Sequence, residues 1–400
     1  MARDLGKPVV LHLARWYPNR YDPMPGLFIQ RHIEAANKYC KVGVVYTHIV
    51  DKNEDQEELY DIDFQAVNGV PTAKVYYLSS GCKIKPIKKL INILRFFKAN
   101  NIGIKEVEKT IGKPELIHVH ILTRLGIIAW YYYFIKKIPF VVTEHWSRYL
   151  DLTGDFKGTL RKYVTRKVAK RASCVTAVTE NLAVAMKSHG IDNKNYVILP
   201  NVVDDSFLDN YPGEKEISDK KTFLHVSCFE DKSKNISGLL RAISKLSILR
   251  NDFVFRMVGD GMDYNSLTSY SKELGLPESV IQYTGLLEGK QLVKEMQNAD
   301  VLVIFSNYEN MPVVINESLS LGIPVIATKV GGIPEVVVEQ NGILIDPRDE
   351  DQLLKSFNDI LDEKLIFNMD NIKKQAINRY SSQAVGKVLM NIYQESLNKN

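Results

Sequence analysis

Short β-rich runs and longer amphipathic stretches alternate along nearly the whole chain, and this alternation restricts the fold more than any other feature. In the first half the runs KPVVLHLA, CKVGVVYTHIV, ELIHVHIL, PFVVTEH and SCVTAVT are separated by helical segments such as GLFIQRHIEAANKY and TLRKYVTRKVAKRA. The second half repeats the rhythm with KTFLHVSCF, FVFRMVGDG, VIQYTG, ADVLVIFS, PVIATKV and GILIDP. Between them lie SGLLRAISKLSIL, QLVKEMQNA, VVINESLSLG and DQLLKSFNDILDE. Strand, helix and strand in succession return the chain parallel to itself. Two such series predict an α/β protein of two Rossmann-like, doubly wound parallel-sheet domains. A chain of 400 residues is also too long for one ordinary core. The predicted domains are residues 1–197 and 198–375, with a C-terminal helix at 376–400 packing back on the first domain. Their joint falls in VILPNVVDDSFLDNYPGEKEISDKK (197–221), where periodicity gives way to turn residues and charge.

Charge is divided unevenly. Residues 1–200 carry 31 Lys and Arg against 18 Asp and Glu, a balance of +13, which leaves 21 against 29, or −8, for residues 201–400. The basic half therefore suits an anionic partner or surface that the acidic half does not meet, although a merely solvated surface has the same composition. Within that half KIKPIKKLINILRFFKANNIGIK (83–105) sets Lys83, Lys85, Lys88, Lys89, Arg95 and Lys98 among Ile, Leu and Phe. That is the make-up of an amphipathic segment on an anionic membrane, and equally of a surface helix over a sheet. The longest apolar stretch, LGIIAWYYYFI, is well short of the ~20 residues of a spanning helix. No secretory leader is read in MARDLGKPVVLHLARWYP, and Cys40, Cys82, Cys174 and Cys228 form no C-x-x-C pair. The expected setting is cytoplasmic, with reduced thiols.

In open α/β sheets ligands sit beyond the carboxyl ends of the strands, and with two such domains they are expected in the cleft between them. Three segments of the second half qualify. After VLVIFS, the loop NYENM leads to Pro312, a good first helical residue, so the N–H groups of Asn310 and Met311 and the helix dipole would face an anion. Glu309 lies in that loop and Glu317 more than a turn into the helix. Carboxylates accept well from vicinal diols, so the pair suits two sugar rings of one ligand; Glu317 is otherwise an ordinary helical glutamate. FEDKSKN (229–235) supplies Lys232 and Lys234, point charges suited to phosphate. GDGMDYNSL places Gly259 and Gly261 where backbone can approach a ligand, or simply makes a tight turn.

Taken in order, these residues resemble the retaining glycosyltransferases of family 4, which have the GT-B fold. The likeness is strong over 195–380 and looser over 8–195. The family's E-x7-E motif falls on Glu309 and Glu317, within SNYENMP…ESLSLGIPVIA…GGIPE; LPNVVDDSF and QYTGLL…LVKEMQNADVLVIFS follow its pattern too. The resemblance implies that Glu317 binds the donor ribose, that Glu309 contacts the transferred sugar, and that Lys234 neutralises the diphosphate, with Leu286 near the base. In the first domain it implies roles for Gly26, in RWYPNRYDPMPGLFIQRHIEAA, and for His145, which ends IPFVVTEH beside the donor sugar. His118 and His120 share a strand face near the family's H-x-H; His118 is read as a packing histidine and His120 as a weaker site candidate than His145. Two positions depart from the pattern: Cys228 stands where an arginine is usual, with Lys232 a replacement for it, and Asn310 stands where glycine is common.

The resemblance implies transfer of a sugar from a UDP- or GDP-linked donor to an acceptor hydroxyl with retention, by front-side attack. It implies no metal and no other cofactor, and no D-x-D motif is placed beside the phosphates. The expected acceptor is a glycan or a lipid-linked molecule of cell-surface polysaccharide assembly, met from the inner face of the membrane. The alternatives are a nucleotide-sugar epimerase of GT-B architecture and an inactive sugar-nucleotide-binding protein. No dehydrogenase fingerprint follows the first strand and no nucleic-acid module appears.

Overall fold

The computed structural model describes residues 7–51, 56–150, 154–208 and 218–398. The expected joint at 197–221 runs through residues 209–217, which lie outside the described residues, as do residues 1–6 of the first segment read for a leader. The chain forms two compact units: Met1–Val178 with Ala183–Val202 and Ser382–Asn400, and Thr179–Leu182 with Val203–Ser381.

In chain order the elements up to the crossover are β1 (Val9–Ala14), α1 (Leu27–Asn37), β2 (Lys41–Val50), β3 (Tyr60–Val67), β4 (Val70–Leu78), α2 (Lys85–Ile111) and β5 (Leu116–His120). They continue with α3 (Thr123–Lys136), β6 (Phe140–Glu144), α4 (Thr159–Arg171), β7 (Cys174–Ala177), α5 (Glu180–Ser188) and β8 (Tyr196–Ile198). The eight strands of the first unit are ordered β3-β4-β2-β1-β5-β6-β7-β8. All five residues of β5 and all five of β6 are buried, as expected of strands covered on both faces. The sheet is parallel except at one edge, where β3 runs antiparallel to β4. An Asn68-Gly69 turn makes that hairpin, both residues at positive φ (48° and 77°) as the tight right-twisting turn demands.

The second unit holds β9 (Lys221–Val226), α6 (Asp231–Lys234), α7 (Ile236–Leu249), β10 (Phe253–Val258), α8 (Tyr264–Glu273), β11 (Ile281–Gly285) and α9 (Gly289–Gln297). It continues with β12 (Val301–Ile304), α10 (Val313–Ser320), β13 (Val325–Thr328), β14 (Gly342–Ile345), α11 (Glu350–Leu361) and α12 (Met369–Tyr380). The six strands are all parallel, in the order β11-β10-β9-β12-β13-β14. Strand order thus reverses between β9 and β12, the place in an open α/β sheet where ligands sit beyond the carboxyl ends of the strands. One face of the sheet is filled by Phe223, Phe253, Phe255 and Phe357, with the rings of Phe223 and Phe255 stacked at 4.9 Å.

The segment expected as a single C-terminal helix at 376–400 is divided. Residues 376–380 end α12, Ser381 is extended (φ −63°, ψ 151°), and a separate helix α13 (Ser382–Asn398) follows. In the first unit α13 lies against α1: a Cβ at Gly386 would stand 2.5 Å from the Ala35 carbonyl oxygen, so only glycine permits this approach. Among the described residues no helix is long and apolar enough to cross a membrane.

Candidate functional site

In the second unit the two loops at the strand-order reversal are joined by hydrogen bonds. Asn307 N–H donates to the Ser233 carbonyl (2.8 Å), and the Asn307 side-chain amide donates to the Lys232 carbonyl (3.0 Å). Asp231 organises the first loop: its carboxylate accepts from the Ser237 N–H and hydroxyl, both at 2.7 Å, while its own N–H donates to Asp263 (2.8 Å). These bonds fix the turn that ends α6 and aim Lys234 at the second loop. There Lys234 Nζ lies 2.5 Å from Glu309 Oε1, which also accepts from the Ser306 hydroxyl (2.9 Å). The two charged side chains are 17 % and 10 % exposed. Burial alone would lower the Lys234 pKa, but the Glu309 carboxylate outweighs it and holds the ammonium above its usual range. The partner that a glutamate among apolar residues requires is therefore Lys234.

Around this pair the other expected residues fall as follows. Glu317 is buried on α10, five residues into the helix. The helix begins at Val313, one residue later than read from sequence, because Pro312 is extended (ψ 119°) and caps it. Met311 packs its side chain into the core, leaving only its backbone for a ligand, and Asn310 accepts from the Gly332 N–H at 2.7 Å. Lys232 and Leu286 are exposed. The glycines have a reason internal to the fold. A Cβ at Gly331 would lie 1.9 Å from the Glu309 carbonyl oxygen, and one at Gly259 the same distance from that of Ser227. A Cβ at Gly261 would meet the Phe229 backbone at 2.7 Å, and one at Gly26 the Trp16 backbone at 2.4 Å. Each glycine lets two segments of the chain touch, and this accounts for the residue type at all four places.

The first unit carries a cluster only partly read from sequence. His118 is a packing histidine, with Nδ1 against the Tyr393 hydroxyl of α13 (2.7 Å) and Nε2 against Thr143 Oγ1 (2.6 Å). His120 instead joins two neighbours: its Nε2 lies 3.0 Å from His12 Nδ1, and its Nδ1 lies 3.4 Å from His145 Nε2. Burial pushes His12 down to about 3 and holds His120 and His145 well below the usual histidine range, so all three are neutral at pH 7. A neutral row of imidazoles carries one proton per ring. His12 Nε2 has no hydrogen-bond partner among the described residues, and a buried orphan acceptor is tolerated better than an orphan donor. His145 Nδ1 at the other end of the row is buried as well, so protons on Nδ1 throughout and protons on Nε2 throughout each give a chain in which one ring donates to the next. His12, His118 and His120 also bring ring nitrogens within 4.8 Å of one another, the spacing of a metal site. Their rings are stacked or tilted, however, with His118 and His120 at 4.2 Å and 25°, so lone pairs in the ring planes do not converge.

His145 follows β6 directly, on a turn held by Glu144. That fully buried carboxylate accepts from the N–H groups of Leu122, His145 and Trp146 and from the Tyr149 hydroxyl. Burial raises its pKa against the lowering effect of those bonds. Sequence reasoning missed Glu144, although an acid ending a buried, largely apolar strand was a signal.

Two family descriptions together cover most of the chain: "Glycosyltransferase Family 4" matches residues 34–207 and "Glycosyl transferases group 1" residues 209–379. The chain is a family 4 glycosyltransferase. An uncharacterized glycosyltransferase of Methanocaldococcus jannaschii is 26% identical over 381 residues, covering 94% of this chain and 97% of the relative. A putative teichuronic acid biosynthesis glycosyltransferase of Bacillus subtilis is 23% identical, over 87% of each chain. Among solved structures, HepE of Anabaena in complex with UDP superimposes with a TM-score of 0.71 at 16% identity, covering 97% of this chain and 99% of HepE. The glycosyltransferase thus has the GT-B fold expected of it.

Proposed function

We propose that this glycosyltransferase moves a sugar from a nucleoside diphosphate sugar to an acceptor hydroxyl with retention of configuration, in the assembly of a cell-surface glycan. The observation that carries the reading is the Lys234–Glu309 pair at the strand-order reversal, beside the amino end of α10. As the bond from the sugar's anomeric carbon to the diphosphate breaks, negative charge grows on the departing oxygen. Lys234 and the amino end of α10 are preorganised to meet it. The acceptor oxygen bonds to the same face of the anomeric carbon, and its proton passes to the released diphosphate. Glu309 contacts the transferred sugar, Glu317 the ribose, and Lys232 takes the part that arginine plays in the family. His145 lies beside the donor sugar. The donor reading is supported by HepE having been solved with UDP, and the acceptor class by the teichuronic acid relative.

The test is a thermal-shift screen of UDP-, GDP- and other nucleotide sugars, because a ligand that binds the native state raises its melting temperature with affinity and concentration. One nucleotide sugar should stabilise the protein, and donor incubated without acceptor should not yield an epimeric sugar. Stabilisation by none, or accumulation of an epimer, would contradict the proposal.

A further inference from the structure

The strand order of the first sheet reverses between β1 and β5, and the loops there open a cavity of about 540 Å³. Arg15 reaches it from the end of β1, Lys89 from α2, Arg124 from α3, Arg148 from the loop after β6, Lys157 from just before α4 and Arg161 from its first turn. Among the described residues no aspartate or glutamate lines it. None of the six cations forms an ion pair with a described residue. Arg148 is nine-tenths buried and stacks on Trp146, its Cζ 3.2 Å from the ring centre; its Nε has no hydrogen-bond partner among the described residues. Burial lowers the pKa of both Arg15 and Arg148, and neighbouring Arg124 and Arg161 lower them further. Six unpaired cations at a strand-order reversal repel one another, and an anion between them relieves this repulsion.

The helices that contribute to the cavity add a second property. On α2, Ile87, Leu90 and Leu94 are spaced along one helical face and are 44 %, 58 % and 60 % exposed; Leu160, which lines the cavity on α4, is 75 % exposed. Arginine matches phosphate oxygens with paired donors, while exposed apolar side chains beside lysines suit an acyl or prenyl chain at a membrane face. We propose that this cavity receives the phosphate group of a lipid-linked acceptor, with its chain lying along the exposed face of α2. The inference deepens the acceptor part of the function proposed above and rests on it.

The test is calorimetric titration of the full chain with geranyl diphosphate, inorganic diphosphate and geraniol. A saturating nucleoside diphosphate is kept present so that Lys234 is already engaged. Geranyl diphosphate should bind about tenfold or more tighter than either fragment. The variant R124E/R161E, altered at two exposed side chains, should weaken it by a similar factor, and R124Q/R161Q by less. Thermal stabilisation by the nucleotide sugar should be the same in all three proteins. Inorganic diphosphate binding as tightly as geranyl diphosphate would mean a free-anion site and would overturn the proposal, as would equal binding by the folded variants. Loss of donor stabilisation in the wild-type protein would instead sink the function proposed above.

Discussion

The ammonium of Lys234 and the carboxylate of Glu309, 75 residues apart in sequence, meet at 2.5 Å where β9 and β12 part. In the unliganded protein each neutralises the other in a partly buried place. When a diphosphate arrives, Lys234 has a second anion to serve, and Glu309 still holds the Ser306 hydroxyl.

This gives a prediction that separates charge balance from catalysis. Lys234→Met should lower turnover by roughly 10²–10³-fold and destabilise the fold by about 1–3 kcal/mol, since Glu309 loses a charged partner. Adding Glu309→Gln should restore most of the stability and none of the turnover. Urea denaturation and a donor-consumption assay on the single and double variants read the two effects. Recovery of activity in the double variant would show that Lys234 acts only by pairing with Glu309.

Gly331 touches the same loop from the other side. Alanine there would press its Cβ on the Glu309 carbonyl oxygen, and it would have to hold φ at +56°. Gly331→Ala should cost roughly 1–3 kcal/mol and raise the apparent KM for donor, because the loop carrying Glu309 must shift. An unchanged melting temperature and KM would contradict the contact.

The four cysteines should react unequally. Cys228 is exposed, while Cys40 and Cys174 are buried and burial pushes the Cys40 thiol up to about 12. Alkylation followed by peptide mass mapping should mark Cys228 first, and the nucleotide sugar should slow it, since Cys228 shares its loop with Lys232 and Lys234. Equal rates with and without donor would remove Cys228 from the neighbourhood of the ligand.

Stability should fall on mild acidification. His12, His32, His118, His120, His145 and His225 are all buried and all have pKa values lowered by that burial, to about 3 for His12 and about 4 for His32 and His225. Below about pH 6.5 the unfolded chain binds protons that the folded chain refuses, so these groups stabilise above that pH. Each withdraws up to about 1.4 kcal/mol per pH unit as pH falls toward the folded values. Glu144, raised by burial, acts in the opposite sense but as a single group at lower pH. Urea midpoints should drop between pH 7.5 and 5.5; a flat profile would contradict neutral buried imidazoles.

Much of this was legible in sequence because it is local. Strand and helix periods are properties of neighbouring residues, so the run of β-α units and the loops bearing Lys234, Glu309 and Glu317 could be read directly. The β3–β4 hairpin was missed although Asn68-Gly69 announces it, because the parallel rhythm on either side dominated the reading. The histidine row was not legible: His12, His120 and His145 come from three segments that only the sheet register brings together. The six cations of the first-sheet cavity are likewise gathered from five separate segments, so sequence showed only an excess of positive charge.

The central claim is that a sugar nucleotide's paired phosphates are held by Lys234 and the amino end of α10. Calorimetry with the nucleoside diphosphate chosen by the donor screen, and with its parent nucleoside, tests it in the wild-type protein and in Lys234→Ala. The diphosphate should lose about tenfold or more in affinity in the variant, while the nucleoside binds both proteins alike. Equal loss for both ligands, or none for the diphosphate, would contradict it.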